Sequence, residues 1–187
     1  MQTATAKRFI MVLGLSLSLL SSVAQSGSII SNKYDDLFKQ STLIGDWRLL
    51  KAQCYQESRL NPLAVSPVGA MGLCQFMPGT ARDLQKKHID LNNFWLPDVS
   101  IRAAGIYMLQ MNKYWSSPRP FMDRMKLAQA SYNAGAGNIA KAQKLQGGAL
   151  LYDDIIIALP QVTGRHSKET SDYVRKITYW YKLTMLD

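Results

Sequence analysis

Between positions 61 and 79 the chain places prolines at 62, 67 and 78 and glycines at 69, 72 and 79. No regular helix or central strand survives that spacing, because proline removes a backbone donor and glycine loses the most conformational entropy when fixed. The stretch predicts an ordered but irregular loop with helical segments on either side. On its N-terminal side Trp47, Leu50, Cys54 and Glu57 fall within an arc of about 80° when positions are wound at ~100° per residue. Asp46, after Gly45, is a good N-cap for that helix, and Pro62 disfavours helical geometry at Asn61 and ends it.

The remaining segments read the same way. A brief helix is expected over 34–40 and another over 80–87 with Thr80 as its cap. A third opens at Pro97-Asp98-Val99-Ser100, carries a stripe of Ile101, Gly105, Met108 and Asn112, and ends near Trp115. Residues 116–120 break the chain. A further helix runs through Met125, Leu127, Ala128 and Ser131 to Gly135, a natural C-terminal glycine. A short helix follows over 138–145. The last starts near Ser167 with Tyr173, Ile177, Trp180 and Thr184 on one face. Ile155-Ile156-Ile157 is β-branched but sits inside a helical pattern and is too short to anchor a sheet. The expectation is a mostly α single domain with little or no β-sheet, which 187 residues can enclose around one core.

Glu57 closes the apolar stripe of its helix, so its carboxyl faces apolar surroundings at a helix end that can look into a cleft. Desolvation disfavours the charged form and raises the pKa. A glutamate that keeps its proton near neutral pH is suited to general acid catalysis.

The first residues differ in kind. Lys7-Arg8, an apolar run over 9–20 and then Ser21-Ser22-Val23-Ala24-Gln25 read as a secretory signal peptide cleaved after Ala24. An uncleaved anchor is the alternative, although the run is short for a span of roughly 20 residues. Residues 25–42 would be a linker and short helix, and 43–187 the folded domain. Of the formal +9 charge, two belong to Lys7 and Arg8, leaving +7 on an exported chain. Outside the cytoplasm such a chain meets anionic headgroups or wall polymer more readily than nucleic acid. No basic block with interleaved aromatics appears, so nucleic-acid binding is not expected. The membrane would be met only through the leader.

His88 and His166 are isolated and no ligand pair has zinc spacing, so neither metal nor cofactor is expected. Cys54 and Cys74 are the only cysteines. An oxidising compartment permits a bridge, but the residues alone favour two buried free thiols.

Four ordered motifs then stand out: Glu57-Ser58; Gly72-Leu73-Cys74-Gln75-Phe76-Met77-Pro78; Ser131-Tyr132-Asn133-Ala134-Gly135; and Glu169-Thr170-Ser171-Asp172-Tyr173-Val174. Together they resemble the soluble lytic transglycosylases, whose catalytic domain is similar to goose-type lysozyme. The likeness runs from about Leu43 to Lys182, and 98–109 fits that family's middle helix. Two residues depart from it: Cys74 stands where methionine is common, and Ser131 where alanine is usual.

The resemblance implies a lysozyme-like domain that cleaves the β-1,4 bond between N-acetylmuramic acid and N-acetylglucosamine in peptidoglycan, leaving 1,6-anhydro-muramoyl ends. Ordinary glycosidases need two carboxyl groups. Here the sugar's own O6 supplies the nucleophile, so one can suffice. Carried over, Glu57 would be the general acid and then base. Ser58 would hold an acetamido group, and Gln75 and Met77 would line sugar subsites. Tyr132 would orient Glu57 or the sugar, with Asn133 shaping that turn. Glu169 would form cleft floor, where Tyr173 would pack or hydrogen-bond. Glycan strands are the expected partner. The compact chain further suggests local wall opening for a secretion, conjugation, pilus or phage machine.

Other readings stand beside these. Met77, Tyr132 and Tyr173 also suit plain core positions, Asn133 a turn, and Glu169 a first-turn glutamate favoured by the helix dipole. A lysozyme-type hydrolase would need a second carboxylate, with Asp83, Asp98 and Glu169 as candidates. A wall-binding assembly protein would keep the fold without the chemistry.

Overall fold

A computed structural model describes residues 28–186, and the leader expected over 1–24 lies outside them. Among the described residues the chain forms helices α1 (Asp35–Ser41), α2 (Trp47–Ser58), α3 (Pro78–Lys87), α4 (Pro97–Tyr114), α5 (Phe121–Ala134), α6 (Ala136–Leu145), α7 (Tyr152–Ile156), α8 (Leu159–Thr163) and α9 (His166–Thr184). The mostly α expectation therefore holds; the only β-like pairings among these residues are two isolated bridges.

Local signals set most boundaries. The Asp46 carboxylate accepts the Arg48 backbone N–H at 2.9 Å and caps α2. Arg59 and Leu60 end α2 in the left-handed region, at φ 58° and 61°. Pro97 opens α4, where its missing N–H would lack a helical partner anyway. For the same reason α3 starts at Pro78, and its N-cap is Met77, three residues before the expected cap at Thr80. The segment around Ile155 to Ile157 resolves into two short helices, α7 and α8.

The core is organised around α2 and α9. Tyr173 meets Glu57, the Trp180 indole donates to Gln56 Oε1 at 3.0 Å, and the Tyr181 hydroxyl donates to Asp46 Oδ2 at 3.2 Å. Rising numbers on α9 match falling numbers on α2, so the pair is antiparallel. Helix α5 packs on α4, α6 and α9, while α1 lies against α4 and α2. At the α1–α4 crossing a Cβ on Gly105 would come within 2.0 Å of the Ser41 carbonyl, so only glycine permits that approach. Ile30 and Phe38 are fully enclosed, so residues 28–42 supply side chains to the core. Each such side chain contributes about 1.5–3 kcal/mol by leaving water.

The loop after α2 is held by its own backbone. Met71 and Phe76 exchange hydrogen bonds at 3.0 Å, and the Gly72 N–H reaches the Ala64 carbonyl at 3.0 Å. Gly72 sits at φ +76° and a Cβ there would meet the Phe94 carbonyl at 2.2 Å, so this position also requires glycine. The two cysteines are bridged, with Cα atoms 4.5 Å apart, which corrects the free-thiol reading. The bridge joins α2, one turn before Glu57, to the loop that carries Gln75. Sequence separation said nothing of this pairing, because the loop has to fold back before the two thiols can meet.

Candidate active site

Glu57 lies in the last turn of α2 with its side chain half-buried. The Tyr173 hydroxyl, brought over by α9, donates to Glu57 Oε1 at 2.5 Å. Burial lifts the carboxyl from its ordinary value of 4.5 to about 7; the Tyr173 hydrogen bond pulls it back, and the charge of Glu169 adds to the rise. Near neutral pH the group is thus split between its acid and base forms, as proton transfer in both directions requires.

Two tyrosines form the wall beside it. Burial first, and then the neighbouring Glu57 charge, push the hydroxyls of Tyr173 and Tyr132 well above the ordinary phenol value. Both therefore stay protonated donors. Their protons go to different places: Tyr173 serves Glu57, whereas Tyr132 donates to the Cys74 carbonyl at 2.8 Å. Cys74 is consequently held three ways, by Tyr132 at its carbonyl, by the Ser100 hydroxyl at its N–H (3.2 Å), and by Cys54 at its sulfur.

The other expected site residues are placed as follows. The Ser58 hydroxyl donates to the Leu73 carbonyl at 2.6 Å and accepts from the Asn61 N–H at 3.0 Å, tying the end of α2 to the loop. Gln75, at φ 52°, donates from its amide to the carbonyls of Ala64 and Gly72 at 3.0 and 2.9 Å. Its amide oxygen accepts no hydrogen bond among the described residues. Met77 is exposed at the start of α3. Asn133 accepts from the Thr170 hydroxyl at 2.8 Å, which locks the end of α5 to α9. Glu169 is exposed, faces His166 at 3.9 Å, and shares with Asn133 and Thr170 a hollow of about 410 Å3. It reaches Glu57 through its field rather than by contact.

Three contributors escaped the sequence reading. Tyr107 of α4 packs edge-on against Tyr132 with centroids 5.2 Å apart, and against Phe76 at 6.2 Å. Thr170 fixes Asn133. Gln53, enclosed one turn before Glu57, opposes the rise of the Tyr173 pKa. Thr170 stood within the fourth motif and Gln53 is a polar residue beside the apolar stripe of α2, but neither signal assigned a role.

The two residues that depart from the family pattern both have partners. Cys74 forms the bridge, and the buried Ser131 hydroxyl accepts the Trp115 indole N–H at 2.9 Å. As for a second carboxylate, Asp83 pairs with Lys86 at 3.6 Å on an exposed turn. Asp98 is exposed in the first turn of α4. Neither is hydrogen-bonded to Glu57.

Comparison with known proteins gives a consistent set. Residues 38–154 match the Transglycosylase SLT domain family. The chain is 34% identical over 153 residues to membrane-bound lytic murein transglycosylase F of Pseudoalteromonas translucida, covering 80% of this chain and 30% of that protein. Its likeness to the Pectobacterium atrosepticum protein of the same name is 33% over 150 residues, covering 78% and 29%. The chain thus spans about 30% of the length of these relatives. Among solved structures, the 70 kDa soluble lytic transglycosylase of Escherichia coli superposes with a TM-score of 0.66 at 26% identity, covering 82% of this chain and 24% of that one. An inactive Glu-to-Gln mutant of the lytic transglycosylase Slt of Pseudomonas aeruginosa gives 0.63 at 26%, covering 81% and 24%.

Proposed function

Because the chain belongs to the Transglycosylase SLT domain family, we propose that it is a peptidoglycan lytic transglycosylase whose single reacting carboxyl is Glu57. The observation that carries this reading is the Glu57–Tyr173 pair: a half-buried carboxyl poised near pH 7, with no second carboxylate bonded to it among the described residues.

The steps balance without added water. Neutral Glu57 gives its proton to the glycosidic oxygen as the bond from the muramic C1 breaks, and the N-acetylglucosamine end leaves as an alcohol. The substrate's acetamido group shares the developing positive charge. Glu57, now a carboxylate stabilised by the Tyr173 hydroxyl, takes the proton from O6 as O6 bonds to C1. The 1,6-anhydro ring closes and Glu57 is again neutral. A donor such as Tyr173 on Oε1 matters most at the charged stage.

Around that centre the amide oxygen of Gln75 and the exposed Met77 would meet sugar, as would Asn133 and Glu169 where they line their own hollow. Ser58 and Tyr132 would act by fixing the loop wall. A hydrolase would instead need Asp83, Asp98 or Glu169 to activate water; all three are exposed, and none is positioned on Glu57 by a hydrogen bond. The reading extends to export through the 1–24 leader into the periplasm, and to local wall opening for an envelope-spanning machine. The principal support for the former is the leader pattern itself. Among the described residues no helix is long and apolar enough to cross a membrane.

Zymography in a peptidoglycan gel tests the enzymatic claim. A cleared band from the wild type that is lost in Glu57→Gln supports it; no clearing from folded wild-type protein points to a wall binder. Normal assembly of every envelope machine in a deletion strain, with no envelope component co-purifying, would remove the machine-linked role.

A further inference from the structure

On the side of α9 turned away from Glu57 lies a groove of about 520 Å3 between α5, α7 and α9. Tyr173, Ile177 and Trp180 face α2, whereas Ser171, Thr178 and Lys182 sit roughly half a turn around the helix. The groove is therefore separate from the catalytic cleft. Its walls are built in: the Tyr152 N–H at the start of α7 donates to Asp123 Oδ1 on α5 at 2.9 Å, which fixes α7 against α5.

The floor is apolar, made of Ile156, Val174 and the buried Tyr152 ring. The rim is basic. Lys126 lies 5.5 Å from the centroid of the Tyr152 ring, and Arg175 and Lys182 stand on α9. Asp153 is the one carboxylate in the lining. Arg175 already shares Asp172 at 3.0 Å, but Lys126 and Lys182 form no ion pair among the described residues. Tyr179, 55% exposed, extends the apolar surface outward at the mouth.

We propose that this groove docks an acidic peptide segment of a partner protein, with one apolar side chain on the floor and carboxylates against Lys126, Arg175 and Lys182. An apolar floor argues for a peptide over a polyanionic wall polymer. Burying sugar hydroxyls or phosphates against Ile156 and Val174 would leave them without hydrogen-bond partners, at real cost. A leucine or phenylalanine would gain there, and the basic rim would steer and align the acidic residues around it. The inference does not depend on the glycan-cleaving reading, because its readout is binding.

The test uses the purified protein, isotope-labelled, titrated with a fluorescent peptide of Glu residues interspersed with Leu and Phe. Polyglutamate and inorganic polyphosphate serve as separate comparison ligands. The expected result is salt-sensitive binding with amide shifts at Tyr152, Val174, Tyr179 and Lys182, weaker binding of both comparison ligands, and about tenfold or greater loss in Lys126→Gln/Lys182→Glu. Tyr179→Ala should weaken the peptide but not polyphosphate. Glycan cleavage should be unchanged in both variants, and thermal melts confirm their fold. Shifts confined to the Glu57 cleft, equal binding by the double variant, or polyphosphate binding as tightly as the peptide would each overturn the proposal, the last in favour of a wall-polymer site.

Discussion

The hydroxyl of Tyr173 rests 2.5 Å from Oε1 of Glu57, joining residues 116 apart in the chain across the α2–α9 contact. The bond holds one carboxyl oxygen in place, and in the proposed reaction Oε2 would be the oxygen that exchanges protons with substrate. It also lowers a pKa that burial has raised, so removing it has a defined direction.

Tyr173→Phe should move the upper limb of the activity–pH profile to higher pH, because Glu57 then holds its proton more tightly. The rate at the optimum should fall by about 10²-fold through loss of positioning. Muropeptide release measured from pH 5 to pH 9 checks both. An unshifted limb with a full rate would show that the bond has no part in the chemistry.

Glu57→Gln should make the fold more stable at high pH. Glu57 has a raised pKa in the folded state, so its contribution is most favourable below 4.5 and is lost as pH climbs through about 7. A neutral amide does not suffer that loss. Relative to wild type, the variant should gain up to roughly 3 kcal/mol between pH 4 and pH 8, read as a growing difference in denaturant midpoint. A constant difference would mean that Glu57 is not desolvated.

The Cys54–Cys74 bridge closes a 20-residue separation and pins the loop beneath Gln75. Its removal in Cys54→Ala/Cys74→Ala should lower stability by about 3 kcal/mol and slow glycan cleavage as the loop loosens. Labelling of unfolded, unreduced protein should find no reactive thiol. Two labelled thiols would rule the bridge out.

Ser131→Ala should cost about 1–3 kcal/mol, since it strands the buried indole N–H of Trp115. In a Trp115→Phe background the same substitution should cost much less, and a double-mutant cycle measures the difference. Equal costs in both backgrounds would mean that the bond contributes nothing.

What could be read from the sequence was whatever depends on near neighbours. Asp46 as a cap, Pro97 as a helix opener, Gly135 as a stop, and the stripe leading to Glu57 are all set within a turn or two of chain. The Thr80 cap failed because Pro78 suits the first helical turn and drew the boundary back to Met77. The longer-range pairings were not legible. Nothing in the spacing of Cys54 and Cys74, or of Trp115 and Ser131, says that folding brings them together. The direction of each tyrosine proton was equally hidden. Motif order placed Tyr132 and Tyr173 at the site, but only tertiary structure sends one hydroxyl to the Cys74 carbonyl and the other to Glu57.

In the proposed reaction one carboxyl and the sugar's own hydroxyl suffice. Mass spectrometry of peptidoglycan fragments after digestion, wild type beside Glu57→Gln, tests it most directly. The expected result is 1,6-anhydro-muramoyl ends from the wild type and none from the variant. Reducing ends from the wild type would contradict it and require a second carboxylate that delivers water.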